Sequence, residues 1–363
     1  MNRKELLKKV QYCNHIVKTN SVLPILENLY ISSGEMTSSN LHITITTKIE
    51  YEGEPFLIPG KQLQKILAAI KDEEVSFSVS EDNEIKVKGS TGKEFTIIGD
   101  DPEDWVKMPK LEEDGISLST DFLDKLYLCV RYCSDDDLRP AMTGVCVGVD
   151  RIVSTDGHKL VFPEYQNDLL EAALRSINRS HSNPYLILPK KFVEILKRCP
   201  EKDKDILISI KMSKENFQVT LKDYTITTTV IDERFPDLMN VIPNHNVLEY
   251  KVKKAQLKEN VEAALLVANK TTHKIKMSFL TDGGCVISSE DMDFASSFEQ
   301  TISSETVRYE ITHSKEEDPK IKEIFEVGFN GKYLLEIIAG IEGEVVKFEM
   351  SEPNKAAIIN DYF

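Results

Sequence analysis

A setting that recurs three times constrains this chain more than any other feature: a short amphipathic helix, an alternating strand, a four-residue turn and a second strand. The turns read Ser80-Glu81-Asp82-Asn83, Ser213-Lys214-Glu215-Asn216 and Ser351-Glu352-Pro353-Asn354. In the middle copy Phe192, Ile195, Leu196 and Cys199 share one face of a predicted helix over Pro189–Pro200, with Lys190, Lys191, Lys197 and Arg198 on the other. Pro189 suits a helix start and Pro200 stops it. Ile206–Met212 and Phe217–Leu221 alternate as half-buried strands, and Asn216 is expected to close their hairpin in the left-handed conformation. The first copy runs Pro59–Lys71, Val75–Val79, turn, Glu84–Lys88; the third runs Asn330–Ile341, Glu344–Glu349, turn, Lys355–Ile359. The turns start at residues 80, 213 and 351. The unit is therefore roughly 135 residues, the size of a small domain and far beyond the ~20–50 of a solenoid repeat.

Each unit opens with a further helix: Asn2–Lys18, Ser119–Ser134 and Lys253–Lys270, followed by strands over Leu26–Ser32, Thr143–Val149 and Lys274–Leu280. Short linkers at Pro102–Asp114, which holds Trp105, and at Pro243–Asn246 set expected boundaries. The domains are 1–115, 116–246 and 247–363. Every domain reads as two helices and six to eight mostly antiparallel strands, an α+β architecture.

The 363 residues are 41% hydrophobic, enough for two or three cores. Met1–Val10 is charged along its length and lacks the apolar region of a secretion signal, and no apolar run approaches the ~20 residues of a membrane span. A cytoplasmic location with no membrane partner is expected. Of the six cysteines, Cys129 and Cys133 are four apart on a predicted helix and could share a metal, but no His or further Cys lies close in sequence to complete a tetrahedral site. Buried thiols without metal or cofactor are the expectation.

The net charge of −15 argues by itself against a nucleic-acid partner. Its distribution argues the reverse. The six predicted helices carry 19 Lys and Arg against 7 Asp and Glu, leaving −27 for the rest of the chain. Lys favours solvated helix faces, but so does Glu, which is scarce in these helices. The sharper reading is that the helices face a polyanion and the acidic remainder faces away.

Four motifs then occur in order: Leu23-Pro24-Ile25-Leu26-Glu27-Asn28-Leu29 after the first helix, Ser154-Thr155-Asp156-Gly157-His158-Lys159-Leu160, Arg234-Phe235-Pro236-Asp237-Leu238-Met239-Asn240-Val241-Ile242-Pro243, and Gly328-Phe329-Asn330 with Tyr333-Leu334. Together they resemble the bacterial DNA polymerase III beta subunit, the sliding clamp, over essentially the whole chain. The resemblance implies three tandem clamp-type domains per chain and a head-to-tail homodimeric ring. Helices would line a central hole and antiparallel sheets would form the rim. Such a processivity factor encircles double-stranded DNA without reading its sequence and acts in DNA replication. Its partners would be the polymerase III catalytic subunit, the clamp loader, and other polymerases and repair proteins.

By position, the resemblance implies DNA contacts at Lys8, Lys61, Arg139, Lys190, Lys191 and Arg198. Lys4, Lys9, Lys125 and Lys254 follow from helix placement alone. The family often has an Arg just before its Leu-Pro-Ile-Leu segment, where this chain has Asn20 and Ser21. A groove for partner peptides would use Met142, Thr155, Gly157, His158, Lys159, Leu160, Pro236, Val241 and Ile359, an apolar pocket taking anchor side chains from a flexible segment. The family's usual Met-Pro-Met-Arg-like tail is replaced by Ile358-Ile359-Asn360-Asp361-Tyr362-Phe363. Lys159 stands where the family has Arg and lacks its planar fork. The subunit contact would pair Phe95 and Ile97 with Leu265 and Leu266.

Two rival readings fare worse. Ser154, Asp156 and His158 superficially suggest an acyl-transfer triad, but Asp-Gly turns rather than extends, and no GxSxG, GxxxxGK[ST] or GxGxxG is present. The chain is expected to be a non-catalytic subunit. A peptide-binding scaffold that never encircles DNA would leave the helix charge unexplained.

Overall fold

The six helices that the apolar spacing predicts are all present in the computed structural model, and each is shorter than its pattern. The structure describes residues 1–106, 111, 114–177, 184–201, 207–238, 241–243, 246, 248–280, 283–309 and 323–362. Several expectations lie wholly or partly outside these residues: most of the 102–114 linker beyond 106, the strand start at Ile206, Met239 and Asn240 of the third motif, half of the 243–246 linker, and Phe363.

The first third gives α1 (Arg3–Cys13), a 3-10 turn at Pro24–Glu27, β1 (Asn28–Ser32), β2 (Glu35–Ser39), β3 (Ile43–Lys48), β4 (Phe56–Pro59), α2 (Gly60–Ala69), β5 (Val75–Val79), β6 (Glu84–Gly89) and β7 (Glu94–Ile98). The middle third gives β8 (Ile116–Leu118), α3 (Asp121–Cys129), β9 (Gly144–Gly148), β10 (Ile152–Thr155), β11 (Leu160–Val161), α4 (Asp168–Ile177), β12 (Tyr185–Pro189), α5 (Lys190–Lys197), β13 (Ile208–Met212), β14 (Asn216–Leu221) and β15 (Tyr224–Thr229). The last third gives β16 (Leu248–Lys253), α6 (Lys254–Val267), β17 (Lys274–Leu280), β18 (Gly284–Asp291), β19 (Ser296–Tyr309), β20 (Glu323–Asn330), α7 (Gly331–Gly340), β21 (Val345–Met350) and β22 (Ile358–Tyr362). One order, helix, four strands, helix and a closing hairpin or meander, is thus written three times, and the fold is α+β.

The middle copy departs from two helices per domain. Among the described residues helix α4 has no counterpart in the other copies, although its signals are ordinary: Asn167 Oδ1 accepts from the Leu169 and Leu170 amides, and Leu170 and Leu174 are buried. The turns also close differently from expectation. Asn83 is left-handed (φ 57°), but Asn216 belongs to β14; there the Ser213 hydroxyl accepts from the Glu215 and Asn216 amides instead. In the third copy the Lys355 amide bonds the Glu352 carbonyl, and β22 starts three residues later than the spacing implied.

Shorter helices change the charge count. The observed spans of the six expected helices keep thirteen basic against seven acidic side chains, a net +6. All six charged residues trimmed off, Lys18, Lys71, Arg131, Arg198, Lys253 and Lys270, are basic, and all but Lys253 follow a helix C-terminus. Cations there complement the helix dipole, so part of the surplus serves the helices themselves.

The described chain forms two compact units, Met1–Phe235 and Pro236–Phe363. In the first, an eight-stranded sheet runs β4-β1-β2-β3-β15-β14-β13-β8. Its centre is the β3–β15 pair, with Thr47 opposite Tyr224 and Ile45 opposite Ile226. That pairing carries one hydrophobic core across the position where a boundary near residue 115 was expected. In the second unit the sheet order is β20-β17-β18-β19-β16-β21-β22 around a separate core.

Helix α5 is fixed by Phe192, which is fully buried and meets Phe217 of β14 edge-on at 6.0 Å. Phe192→Ala is expected to cost about 3–5 kcal/mol through lost transfer energy and a residual cavity. The measurement is the urea midpoint of the full chain; a loss under about 1 kcal/mol would show that α5 is not anchored by this contact.

Candidate functional site

The cations of the first unit are arranged by a device the sequence reading missed. In two domains a lysine in the first turn of the second helix reaches the C-terminal end of the first. Lys61 Nζ donates to the Asn14 carbonyl at 2.9 Å, and Lys190 Nζ lies 3.5 Å from the Cys133 carbonyl and 2.6 Å from Asp135 Oδ1. In the second unit Lys254, opening α6, bonds the Ile341 carbonyl just past α7. Unpaired carbonyls at a helix end attract an ammonium group, so these lysines are positioned by their own domains.

Asn14 prepares this end of the site. It is buried and donates to the Gly60 carbonyl at 2.9 Å and to Gln64 Oε1 at 2.8 Å. A Cβ on Gly60 would fall 2.3 Å from Asn14 Oδ1, so the tight approach of α2 to α1 requires glycine. Across the β3–β15 seam, the buried Tyr12 hydroxyl donates to the Ile195 carbonyl at 3.0 Å, the same carbonyl that accepts the Arg198 amide. The ends of α1, α2 and α5 are thereby tied together.

On the exposed side of this junction, Lys4, Lys8, Gln11 and His15 follow one stripe along α1 and the turn after it. Lys191 and Arg198 project from α5 and its C-cap. Partial burial, and then the positive charges of Arg198, Lys61 and Lys191, hold the His15 imidazole below its ordinary pKa. Three of the six expected DNA contacts, drawn from two domains, therefore converge on one histidine that the sequence reading passed over. Lys8 is exposed on the same face, and Lys191 is 3.6 Å from Glu194.

Other expected cations are placed differently. Lys9 is buried, 2.8 Å from Glu5, 3.6 Å from Asp223 and bonded to the Lys48 carbonyl; it ties α1 to the β14–β15 turn. Lys125 pairs with Asp121 at 3.7 Å. Arg139 bonds Asp136 at 2.9 Å, and its guanidinium lies 2.9 Å from where a Cβ on Gly157 would stand. It therefore covers the turn of the second motif, away from the His15 cluster in the residues it touches.

That turn is a tight polar knot between β10 and β11. Asp156 Oδ1 accepts from the His158 and Lys159 amides, each at 2.8 Å, and Oδ2 meets Lys159 Nζ at 2.9 Å. Burial would raise the Asp156 pKa, but the Lys159 ammonium and the Lys159 and His158 amides outweigh it and hold the carboxyl below its usual range. Thr155 Oγ1 donates to the Lys159 carbonyl at 2.7 Å and accepts from the Gly157 amide, whose φ of +87° only glycine adopts freely. The Lys159 side chain is 7% exposed, so it acts as an internal brace of the turn. His158 and the half-buried Leu160 and Met142 remain at its surface, with the Met142 amide bonded to the Arg139 carbonyl. Ser154 Oγ donates to the Cys129 carbonyl at 2.5 Å and Asp156 is turned to backbone amides, which removes the triad geometry.

In the second unit Pro236 is half-buried, Val241 exposed, and Ile359 packed against the core opposite Phe348. Of the expected subunit contacts, Leu266 is 87% exposed, while Leu265 packs beside Gly331. Ile97 is 5% exposed and faces its own core, whereas Ile98, one residue on, is 78% exposed. Phe95 is half-buried with Lys93 Nζ 5.6 Å from its ring centre. Phe95 and Ile97 thus share the face of β7 that meets its own core in the single chain; strand periodicity shows which residues share a face but not which face is covered.

The cysteines are buried and free. Burial pushes the Cys129 thiol up, and Cys133 to about 12, so neither is a ready thiolate ligand. Among the described residues no cluster of three or more metal-ligating side chains occurs, and no helix is long and apolar enough to cross a membrane.

Comparison with known proteins bears on the whole chain. Family models match in order: DNA polymerase III beta subunit, N-terminal domain over residues 1–109, central domain over 123–237 and C-terminal domain over 239–362. The Beta sliding clamp of Vibrio cholerae is 23% identical over 385 aligned residues, covering 99% of this chain and 95% of that protein. That of Pseudomonas aeruginosa is 24% identical, with 99% and 95% covered. Among solved structures, the DNA polymerase III subunit beta of Pseudomonas aeruginosa superposes with a TM-score of 0.85 at 20% identity, covering 99% of this chain and 95% of that one. The polymerase sliding clamp of Bacillus subtilis gives 0.85 at 20%, covering 99% and 94%. With matches to all three of its domains in order along nearly the full length, the chain belongs to the DNA polymerase III beta subunit family.

Proposed function

We propose that this protein is a non-catalytic processivity clamp: three domains, 1–115, 116–246 and 247–363, that close with a second copy around double-stranded DNA and tether the replicative polymerase. Family membership along the chain carries this reading. The convergence of Lys61, Lys191 and Arg198 beside His15 supports it, because phosphate contacts from side chains and no base reader suit a ring that slides. Residues Met142, Thr155, Gly157, His158 and Leu160, with Pro236, Val241 and Ile359, are its expected peptide contacts; the polymerase, the clamp loader and repair proteins are the expected partners.

The internal repeat supports head-to-tail closure. In the first unit the third strand of one domain, β3, pairs with the last strand of the next, β15. The third strand of the last domain, β19, pairs with β18 over Ser296–Ser303 and with β16 over Ser304–Tyr309, so among the described residues Ser296–Ser303 has one unpaired edge. The last strand of the first domain, β7, is likewise an outer strand of its sheet. Unpaired edges demand cover, and β19 of one copy against β7 of another repeats the junction already built between β3 and β15. A heterologous contact of this kind closes into a ring when its rotation returns to the first subunit.

The test is retention on DNA of different topology. After loading, nicked circular plasmid should hold the protein through gel filtration at high salt, and cutting the plasmid should release it. Equal release from circular and linear DNA would remove the encircling reading and leave a peptide-binding scaffold.

A further inference from the structure

His15 stands where α1, α2 and α5 meet, within electrostatic reach of Arg198, Lys61 and Lys191. Its amide bonds the Tyr12 carbonyl at 3.0 Å, and its ring meets Tyr12 edge-on at 5.9 Å. Tyr12 in turn is bonded to α5 through the Ile195 carbonyl, and Lys61 of α2 is bonded to Asn14, the residue before His15. The charged groups facing it are Lys61 from α2 and Lys191 and Arg198 from α5, with Glu194 engaged by Lys191 at 3.6 Å. Beneath lie Tyr12, Cys13, Tyr224 and Cys199, whose burial keeps the first three protonated well above neutral pH. Phosphate is the chemistry that complements this arrangement: an anion that would bond an imidazolium and neutralise three neighbouring cations.

We propose that a backbone phosphate of duplex DNA seats among His15, Lys61, Lys191 and Arg198, and that seating it adds a proton to the His15 imidazole. This rests on the DNA-encircling reading above and adds to it a proton-linked contact, making the grip on DNA responsive to pH. In the free protein burial and then the three cations oppose protonation, which favours the neutral imidazole. The folded chain then loses stability as pH falls below about 6.5, because the unfolded chain takes up the proton first. A seated phosphate reverses the local sign and draws the proton on. Uptake of one proton strengthens binding by up to about tenfold per pH unit of acidification within the window between the free and bound pKa values.

The experiment uses the full-length protein with 13C-labelled histidine, titrated by NMR with and without a mixed-sequence duplex of about 20 base pairs. The His15 midpoint should rise on adding duplex, by more than with inorganic phosphate alone. Duplex affinity should be about three- to tenfold higher near pH 6 than near pH 7.5. His15→Gln should abolish that pH dependence, and His15→Lys should give the tighter value at both pH values. An unmoved His15 midpoint, an equal shift with inorganic phosphate, or an unchanged pH dependence in His15→Gln overturns the proposal while leaving encirclement standing if plasmid retention is intact. Failure to retain plasmid at any pH would sink both.

Discussion

Replacing Lys61, Lys191 and Arg198 together by glutamate is expected to weaken duplex binding about 10²–10³-fold at 0.1 M salt. Each phosphate contact contributes a slope of about 0.9 in log affinity against log salt, so three are worth nearly three decades between 0.1 M and 1 M. The salt slope itself should fall by about three. The same charge change at Lys88, Lys214 and Lys355, exposed lysines carried by hairpins, is the control and should leave the slope nearly unchanged. Fluorescence anisotropy with a labelled duplex measures both. If the two triple variants bind equally, the cations at the α1, α2 and α5 junction do not hold DNA. The variant has a second signature: removing the charges that oppose protonation should raise the His15 pKa.

Leu266→Asp is the other large effect. Leu266 lies near the end of α6, 87% exposed, in a chain with an exposed Phe294 on the β18–β19 turn and the unpaired edge of β19 nearby in sequence. Burying a leucine side chain is worth about 1.5–3 kcal/mol. A head-to-tail ring of two chains contains the contact twice, so its loss is about 3–6 kcal/mol, or 10²–10⁴ in the dimer dissociation constant. Sedimentation at micromolar concentration should show the wild type as two chains and the variant as one. Its exposure in the single chain predicts an unchanged unfolding midpoint for the monomer, whereas Ile97→Asp, directed at a residue buried in its own core, should unfold the first unit.

Legibility differed by element for physical reasons. Strand β5 falls where alternation put it, since period-two burial is written residue by residue. The helices were found but overextended. Past Cys13 the apolar Ile16 and Val17 continue the spacing and are buried, yet the chain has already left the helix; burial does not distinguish a helix from the turn that follows it. Helix α4 was passed over because the repeat supplied no counterpart, although Asn167 and Leu170 mark it clearly. The Asp156–Lys159 knot shows the same limit at a site. The motif names the residues, but that Lys159 is spent inside the turn, while Arg139 covers Gly157, depends on where side chains meet.

By itself the sequence determined the threefold α+β repeat, the family and a surplus of cations on helices, because periodicity, turn chemistry and charge are properties of residue order. The tertiary structure decided which of those cations share a surface. Lys9 is buried against Asp223, and Arg139 covers the turn at Gly157, while the charges of Lys61, Lys191 and Arg198 act together on His15. The β3–β15 pairing joins segments some 180 residues apart, and electrostatic cooperation follows distance in space, which falls off over roughly 10 Å in physiological salt whatever the separation along the chain.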